Sequence, residues 1–177
     1  MAAYVLLDRD GTLIRHIPYL IKKEDVVFTQ GLFETISVAK EIGYRFGLVT
    51  NQSVIGRQIA SREQVNSVNE FILDTIREET GATFDFVKMC PHIPTDGCRC
   101  RKPKIGMIQD EIRSGDITLG ESIMVGDQVS DVVFACNAGI IPILFDGSHY
   151  VESCSPKPRY TVGSMMELTA LLKDLNS

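Results

Sequence analysis

The sequence lacks any apolar stretch near the ~18 residues that a membrane-crossing helix needs, so no span is expected. It also lacks an excess of positive charge: 18 Lys and Arg stand against 23 Asp and Glu, a net charge of −5. A nucleic-acid partner calls for a basic stripe, and this balance argues against one. The N-terminus has no charged region leading into a long apolar one, so no secretory signal is expected. No internal repeat, low-complexity tract or Pro/Gly-rich linker divides the 177 residues, which read as one domain over 1–177. Cysteine is scarce and odd in number, five in all, and without an export signal a disulfide framework is not expected. Metal ligation or buried thiols remain for those side chains. With 44% hydrophobic and 23% charged residues the chain can still bury a real core. The expectation is a cytoplasmic, monomeric globular protein that meets a small molecule rather than nucleic acid or a membrane.

What is present is a regular alternation of short apolar runs and amphipathic segments. Tyr4-Val5-Leu6-Leu7, Phe46-Gly47-Leu48-Val49 and the stretches 84–89, 122–125 and 140–145 read as five buried strands. Arg62–Thr80 carries Val65, Val68, Ile72 and Ile76 at helical spacing, with Gly81 just past its end. Helices are also expected over 32–42, over 106–113 and around Leu168, Leu171, Leu172 and Leu175. Apolar strands alternating with helices imply a doubly wound, Rossmann-like α/β fold, a single parallel sheet covered on both faces. In such sheets ligands gather at the carboxyl ends of the strands. Three polar clusters fall at that edge: Asp8-Arg9-Asp10-Gly11-Thr12, Thr50-Asn51-Gln52-Ser53 and Gly126-Asp127.

Asp8 and Asp10 stand two apart in extended backbone, so both carboxylates are expected to reach one site. There they either share a divalent cation or keep a proton between them. The plainer reading is an Asp-Gly turn with two solvated acids. Asp127, with Asp131 four residues on, adds a third carboxylate. Asp8, Asp10 and Asp127 suit Mg²⁺, a hard ion that takes few carboxylates and keeps several waters. By itself, Asp127 also reads as a helix N-cap with Asp131 on the surface. Cys90, His92, Cys98 and Cys100 fall within the eleven residues of a Pro- and Gly-bearing loop, 90–100. Four such ligands suit a closed, structural Zn²⁺ site, with redox chemistry as the rival. Arg101 and Lys102 follow at once, a phosphate clamp or else a solvated basic run. Cys136 is expected to be a buried core thiol, with Cys154 outside the zinc set. Met165 and Met166 read as core packing and 22–25 as a solvated loop, while His16 and His149 read as surface residues and Tyr19 as a possible pocket wall.

Taken together, the clusters resemble the haloacid dehalogenase superfamily of phosphohydrolases. Its signature is Asp-x-Asp-Gly-Thr, a Thr or Ser after the second strand, a Lys, and Gly-Asp-x-x-x-Asp. Residues 8–12, Thr50, Lys102 and 126–131 match it across nearly the whole chain. With Thr50-Asn51-Gln52-Ser53 and the Cys/His loop running into Arg101-Lys102-Pro103, the sequence is similar to one branch. That branch holds D-glycero-D-manno-heptose 1,7-bisphosphate 7-phosphatases and histidinol-phosphate phosphatases. Five strands and their helices use almost all of the 177 residues, so no separate cap domain is expected, and access falls to residues 12–30 and the zinc loop. The resemblance implies a small phosphorylated sugar as substrate, with Asp8 as nucleophile and Asp10 as acid and base. Mg²⁺ would sit on Asp8, the Asp10 backbone carbonyl and Asp127. Thr50 and Lys102 would stabilise charge, and Asn51, Ser53, Arg101, Tyr19, His16 and Gln128 would contact substrate. The 10–31 segment, its Tyr19 and Thr50-Asn51-Gln52-Ser53 favour release of the heptose C7 phosphate. The short 94–98 segment instead has the length seen in histidinol phosphatases. Gln128 stands where Lys is often found, and Val54 and Gln58 where glycines are usual. A reading of another class is a catalytically silent, zinc-stabilised binding protein.

Overall fold

The computed structural model describes residues 2–146 and 155–176. Six strands, β1 (Tyr4–Leu7), β2 (Arg45–Asn51), β3 (Phe84–Cys90), β4 (Ile123–Gly126), β5 (Ile141–Phe145) and β6 (Tyr160–Val162), form one parallel sheet. Its order is β3-β2-β1-β4-β5-β6. Among the described residues five α-helices cover it: α1 (Leu32–Glu41), α2 (Arg62–Thr80), α3 (Gln109–Ser114), α4 (Val129–Ala138) and α5 (Met165–Leu175).

The strands read as continuously apolar because both faces of the sheet are buried. Val5 and Leu7 share one core with α1, α2 and α5, through Ile36, Ile72 and Leu172 among others. Tyr4 and Leu6 point the other way, into a core with Phe134, Ala135 and Ala138 of α4. Each large aliphatic side chain sealed in this way contributes roughly 1.5–3 kcal/mol. The α2 start is set by a capping box: Ser61 Oγ accepts from Gln64 N–H, and Gln64 Oε1 accepts from Ser61 N–H. Gly81, at φ 66°, closes its C-terminus.

The structure corrects several expectations. The sheet has six strands rather than five, because β6 is a three-residue edge strand too short to show a period. β3 is the opposite edge, and residues 84–88 alternate between half-buried and exposed instead of being sealed, with burial reached only at Cys90. Helix α3 begins at Gln109, three residues later than expected. Cys136 is exposed, not a core thiol: it lies on α4 beyond the face that Phe134, Ala135 and Ala138 bury. Met165 is core, but Met166 is 79% exposed. The 22–25 segment is a solvated turn of 3-10 helix over Lys23–Asp25. His149 and Cys154 lie outside the described residues.

Strand order reverses at β1, which has β2 on one side and β4 on the other. Asp8 N–H extends the β1–β4 pairing by donating to the Val125 carbonyl at 3.0 Å. The crevice beyond this reversal is where such a sheet binds ligands.

Candidate active site

Asp8 leaves β1 and Asp127 leaves β4 side by side in that crevice, with Asp131 one turn into α4. One carboxylate oxygen from each lies within 4.8 Å of the others. Lys102, only 3% exposed, reaches in from the loop before α3. Its ammonium is 2.8 Å from Asp8 Oδ1, 2.6 Å from Asp131 Oδ1 and 2.8 Å from the Val49 carbonyl. The solvated basic run is thus excluded for Lys102. Burial alone would drive this ammonium towards neutrality, but the charges of Asp131 and Asp8 overcome that and hold its pKa at about 12. Burial pushes the Asp131 carboxyl up, against the pull of Lys102. Burial also raises Asp127, against a hydrogen bond from Gln128. The N-cap of α4 is Gln128, not Asp127, and Asp131 is buried as the box partner whose Oδ2 accepts from Gln128 N–H.

Three carboxylates and one ammonium leave two negative charges buried together, which matches a divalent cation. Asp127 Oδ1 is buried with no hydrogen-bond partner, while its Oδ2 accepts from Gln128 Nε2 at 2.7 Å. An unpaired buried carboxylate oxygen is costly unless something positive meets it. Gly11, at φ 78°, comes so close that a Cβ would sit 2.3 Å from Asp127 Oδ2, so only glycine leaves the carboxylate in place. The residues present fit a hard divalent metal.

Asp10 is placed differently from its neighbour. Its carboxylate turns to Arg9, whose Nε donates to Oδ2 and Nη2 to Oδ1, each at 3.1 Å. Gln52 Nε2 donates to the same Oδ2 at 2.7 Å and to Thr50 Oγ1 at 2.9 Å. The cluster of ligand atoms therefore takes in Asp8, Asp127 and Asp131, with the Asp10 side chain held apart. Thr50, at the end of β2, is buried beside it.

Asn51 clamps the Lys102 backbone: its Oδ1 accepts from Lys102 N–H at 3.0 Å and its Nδ2 donates to the Lys102 carbonyl at 3.3 Å. Arg101 Nη1 donates to the His92 carbonyl at 3.1 Å, tying the 101–104 turn back to the Cys/His loop. A hollow of about 340 Å³ is lined by Asp10, His16, Tyr19, Asn51, Ser53 and Arg57, among others. This gathers four of the expected substrate contacts around Asp10. Gln128 lies across the crevice, on Asp127. Sequence reasoning took in Arg9 and Gln52 only as members of their clusters, without a role, and passed over Asn69, because these roles depend on hydrogen bonds and leave no pattern in the chain.

The Cys/His loop closes on itself. Cys90 Sγ is 3.5 Å from His92 Nδ1, 3.7 Å from Cys98 Sγ and 3.2 Å from Cys100 Sγ, and His92 Nδ1 is 3.2 Å from Cys100 Sγ. The edges of a zinc tetrahedron with sulfur ligands are about 3.8 Å, so four donors already stand at nearly that separation. Cys90 is buried at the end of β3, and burial pushes its thiol up to about 12. A metal there displaces protons that burial would otherwise retain.

Comparison with known proteins agrees with this geometry. Residues 99–168 match the HAD-hydrolase-like family. The chain is 35% identical to a D-glycero-beta-D-manno-heptose-1,7-bisphosphate 7-phosphatase of Helicobacter pylori over 136 residues, 77% of this chain and 79% of that one. The chain belongs to the HAD-like phosphatases. This HAD-like phosphatase is also 33% identical to the histidine biosynthesis bifunctional protein HisB of Blochmanniella floridana, over 82% of its own length and 42% of HisB. Its fold superposes with a TM-score of 0.87 on a D,D-heptose 1,7-bisphosphate phosphatase from B. bronchiseptica, solved with magnesium and phosphate. That match has 26% identity and covers 97% of this chain and 98% of the other. Membership implies a divalent metal at the carboxylate cluster. Among the described residues no helix is long and apolar enough to cross a membrane.

Proposed function

We propose that this phosphatase removes the C7 phosphate of D-glycero-D-manno-heptose 1,7-bisphosphate and leaves the 1-phosphate. The carrying observation is Asp8 at the strand-order reversal, touched by the buried Lys102 ammonium and grouped with Asp127. Asp8 attacks phosphorus in line and forms an aspartyl phosphate as the sugar oxygen departs. Asp10 gives that oxygen its proton and later takes one from the water that hydrolyses the intermediate. Lys102 and Thr50 stabilise the charge that develops on the phosphoryl oxygens. Asp8, the Asp10 backbone carbonyl and Asp127 would hold Mg²⁺, which would supply further neutralising charge there. Asn51 keeps Lys102 in place, and Arg101 and Ser53 hold substrate. His16 and Tyr19 wall the hollow beside Asp10, and Gln128 faces it across the crevice. Cys90, His92, Cys98 and Cys100 would hold a structural Zn²⁺, which would fix the turn carrying Arg101 and Lys102.

The chain acts as a cytoplasmic monomer, one domain over 1–177 without a cap, with residues 12–30 and the zinc loop framing the entrance. The second reading is histidinol phosphate as substrate, favoured by the short 94–98 segment and by the HisB relative. Measured kcat/KM values for both heptose bisphosphate anomers and histidinol phosphate, with phosphorus NMR on the products, decide between them. The proposal expects a higher value on a heptose bisphosphate and cleavage at C7. Preference for histidinol phosphate, or cleavage at C1, overturns it.

A further inference from the structure

Arg9 has no step in the chemistry above, yet it is 1% exposed and among the largest fully buried side chains. A buried guanidinium is retained only where its donors are met. Four hydrogen bonds meet four of its five N–H groups, with every nitrogen engaged: two to Asp10, one from Nη1 to Asn69 Oδ1 at 3.0 Å and one from Nη2 to Gln52 Oε1 at 2.9 Å. Because Arg9 only donates, it fixes both amides with oxygen towards it, and so turns Gln52 Nε2 onto Asp10. Asn69, on α2, keeps its Nδ2 buried with no partner, a costly arrangement that packing alone does not call for.

We propose that Arg9 is a positioning residue that locks the Asp10 carboxylate and leaves Oδ1 as the oxygen that carries the proton. The inference rests on the phosphatase reading. A carboxylate has about four lone-pair sites, two on each oxygen. Oδ2 accepts from both Arg9 Nε and Gln52 Nε2 and is filled. Oδ1 accepts from Arg9 Nη2 alone among these donors and keeps one site. The proton passes from Oδ1 to the sugar oxygen as its bond to phosphorus breaks. A proton returns to Oδ1 from water as the water oxygen bonds to phosphorus and the bond to Asp8 breaks. Arg9 and Gln52 do not touch the reacting atoms; they set where Oδ1 stands.

Leaving-group dependence separates this role from a merely structural one. The sugar oxygen needs a proton to leave, whereas p-nitrophenolate leaves without one. Arg9→Met and Gln52→Met are assayed with Mg²⁺ on the heptose bisphosphate and on p-nitrophenyl phosphate, with circular dichroism as the check on folding. In Arg9→Met, kcat on the sugar phosphate is expected to fall ~10²-fold, about tenfold or more beyond its fall on the aryl ester. Gln52→Met is expected to show the same bias at smaller size, and it carries the test if Arg9→Met does not fold. Equal losses on the two esters in a folded variant, or no loss, overturn the proposal. A parent protein that hydrolyses neither ester overturns the phosphatase reading instead, and this inference with it.

Discussion

The carboxylate cluster and the Cys/His knot are both sets of metal-ligand side chains, and they are assembled in opposite ways. The knot comes from one loop, 90–100, hung on the end of β3. The cluster draws Asp8, Lys102, Asp127 and Asp131 from two strand ends, a loop and the first turn of α4, with Asp8 and Lys102 94 positions apart in sequence. A local knot orders its own segment and the 101–104 turn tied to it by Arg101. A cluster gathered by the whole sheet exists only when the sheet is right, and it stores unbalanced charge in the interior. Breaking each one therefore has a different signature.

The largest effect belongs to the cluster. Lys102→Met leaves Asp8 and Asp131 facing one another without their shared cation. Removing one partner of a buried pair costs about 3–5 kcal/mol, so the urea midpoint falls markedly while kcat drops ~10²-fold or more. If stability is unchanged, the charge balance drawn above is wrong. Breaking the knot is expected to act the other way round. Cys98→Ser, or a zinc-selective chelator, lowers the melting temperature by several degrees, because a closed site contributes folding energy. Turnover at low temperature falls less than in Lys102→Met. Metal analysis of protein purified without added zinc should find about one ion per chain in the parent and none in the variant.

Next in size is the pH dependence of the cluster. Burial raises the Asp127 pKa, so protons compete with a divalent ion at pH values above the ordinary carboxylate range. The sign follows: apparent Mg²⁺ affinity weakens as pH falls, by up to about tenfold per unit for each proton displaced. Titrations that give one and the same affinity from the ordinary carboxylate range up to pH 8 contradict this. The smallest effect is a backbone one. Gln58 stands at φ 59°, in the left-handed region, and a non-glycine residue is strained there. Gln58→Gly is expected to raise stability by about 1 kcal/mol or less, since the extra freedom of the unfolded glycine offsets part of the relief. By contrast, Val54 is not among the residues with positive φ, so its departure from glycine carries no strain of that kind.

The same contrast explains what was legible in the sequence. Four soft ligands within eleven residues announce the knot before any fold is known. Asp8, Thr50 and Asp127 were legible because parallel strands put their carboxyl ends on one edge, and the alternation of apolar runs identified the strands, while Lys102 was legible from its place after the Cys/His loop and from the family resemblance. Asp131 was harder to place, since an acid at the third helical position reads as a surface cap; here the fold seals it against Lys102. The roles of Gln52 and Asn69 left no trace, because an amide's role lies in which atom it turns to its neighbour. Cys136 was misread because α4 is apolar beyond the face it buries, and apolar character does not require burial. Asp8 and Asp10 share a spacing that predicts a common site, yet Arg9 between them draws the second carboxylate away.

The central claim is that Asp8 is the attacking group, and turnover of Asp8→Asn beside the parent tests it most directly. With the heptose bisphosphate and Mg²⁺, the parent should release phosphate, and a folded Asp8→Asn should fall by ~10⁴-fold or more, as expected when a nucleophile is lost. Phosphate release at the parent's rate by Asp8→Asn would contradict the account.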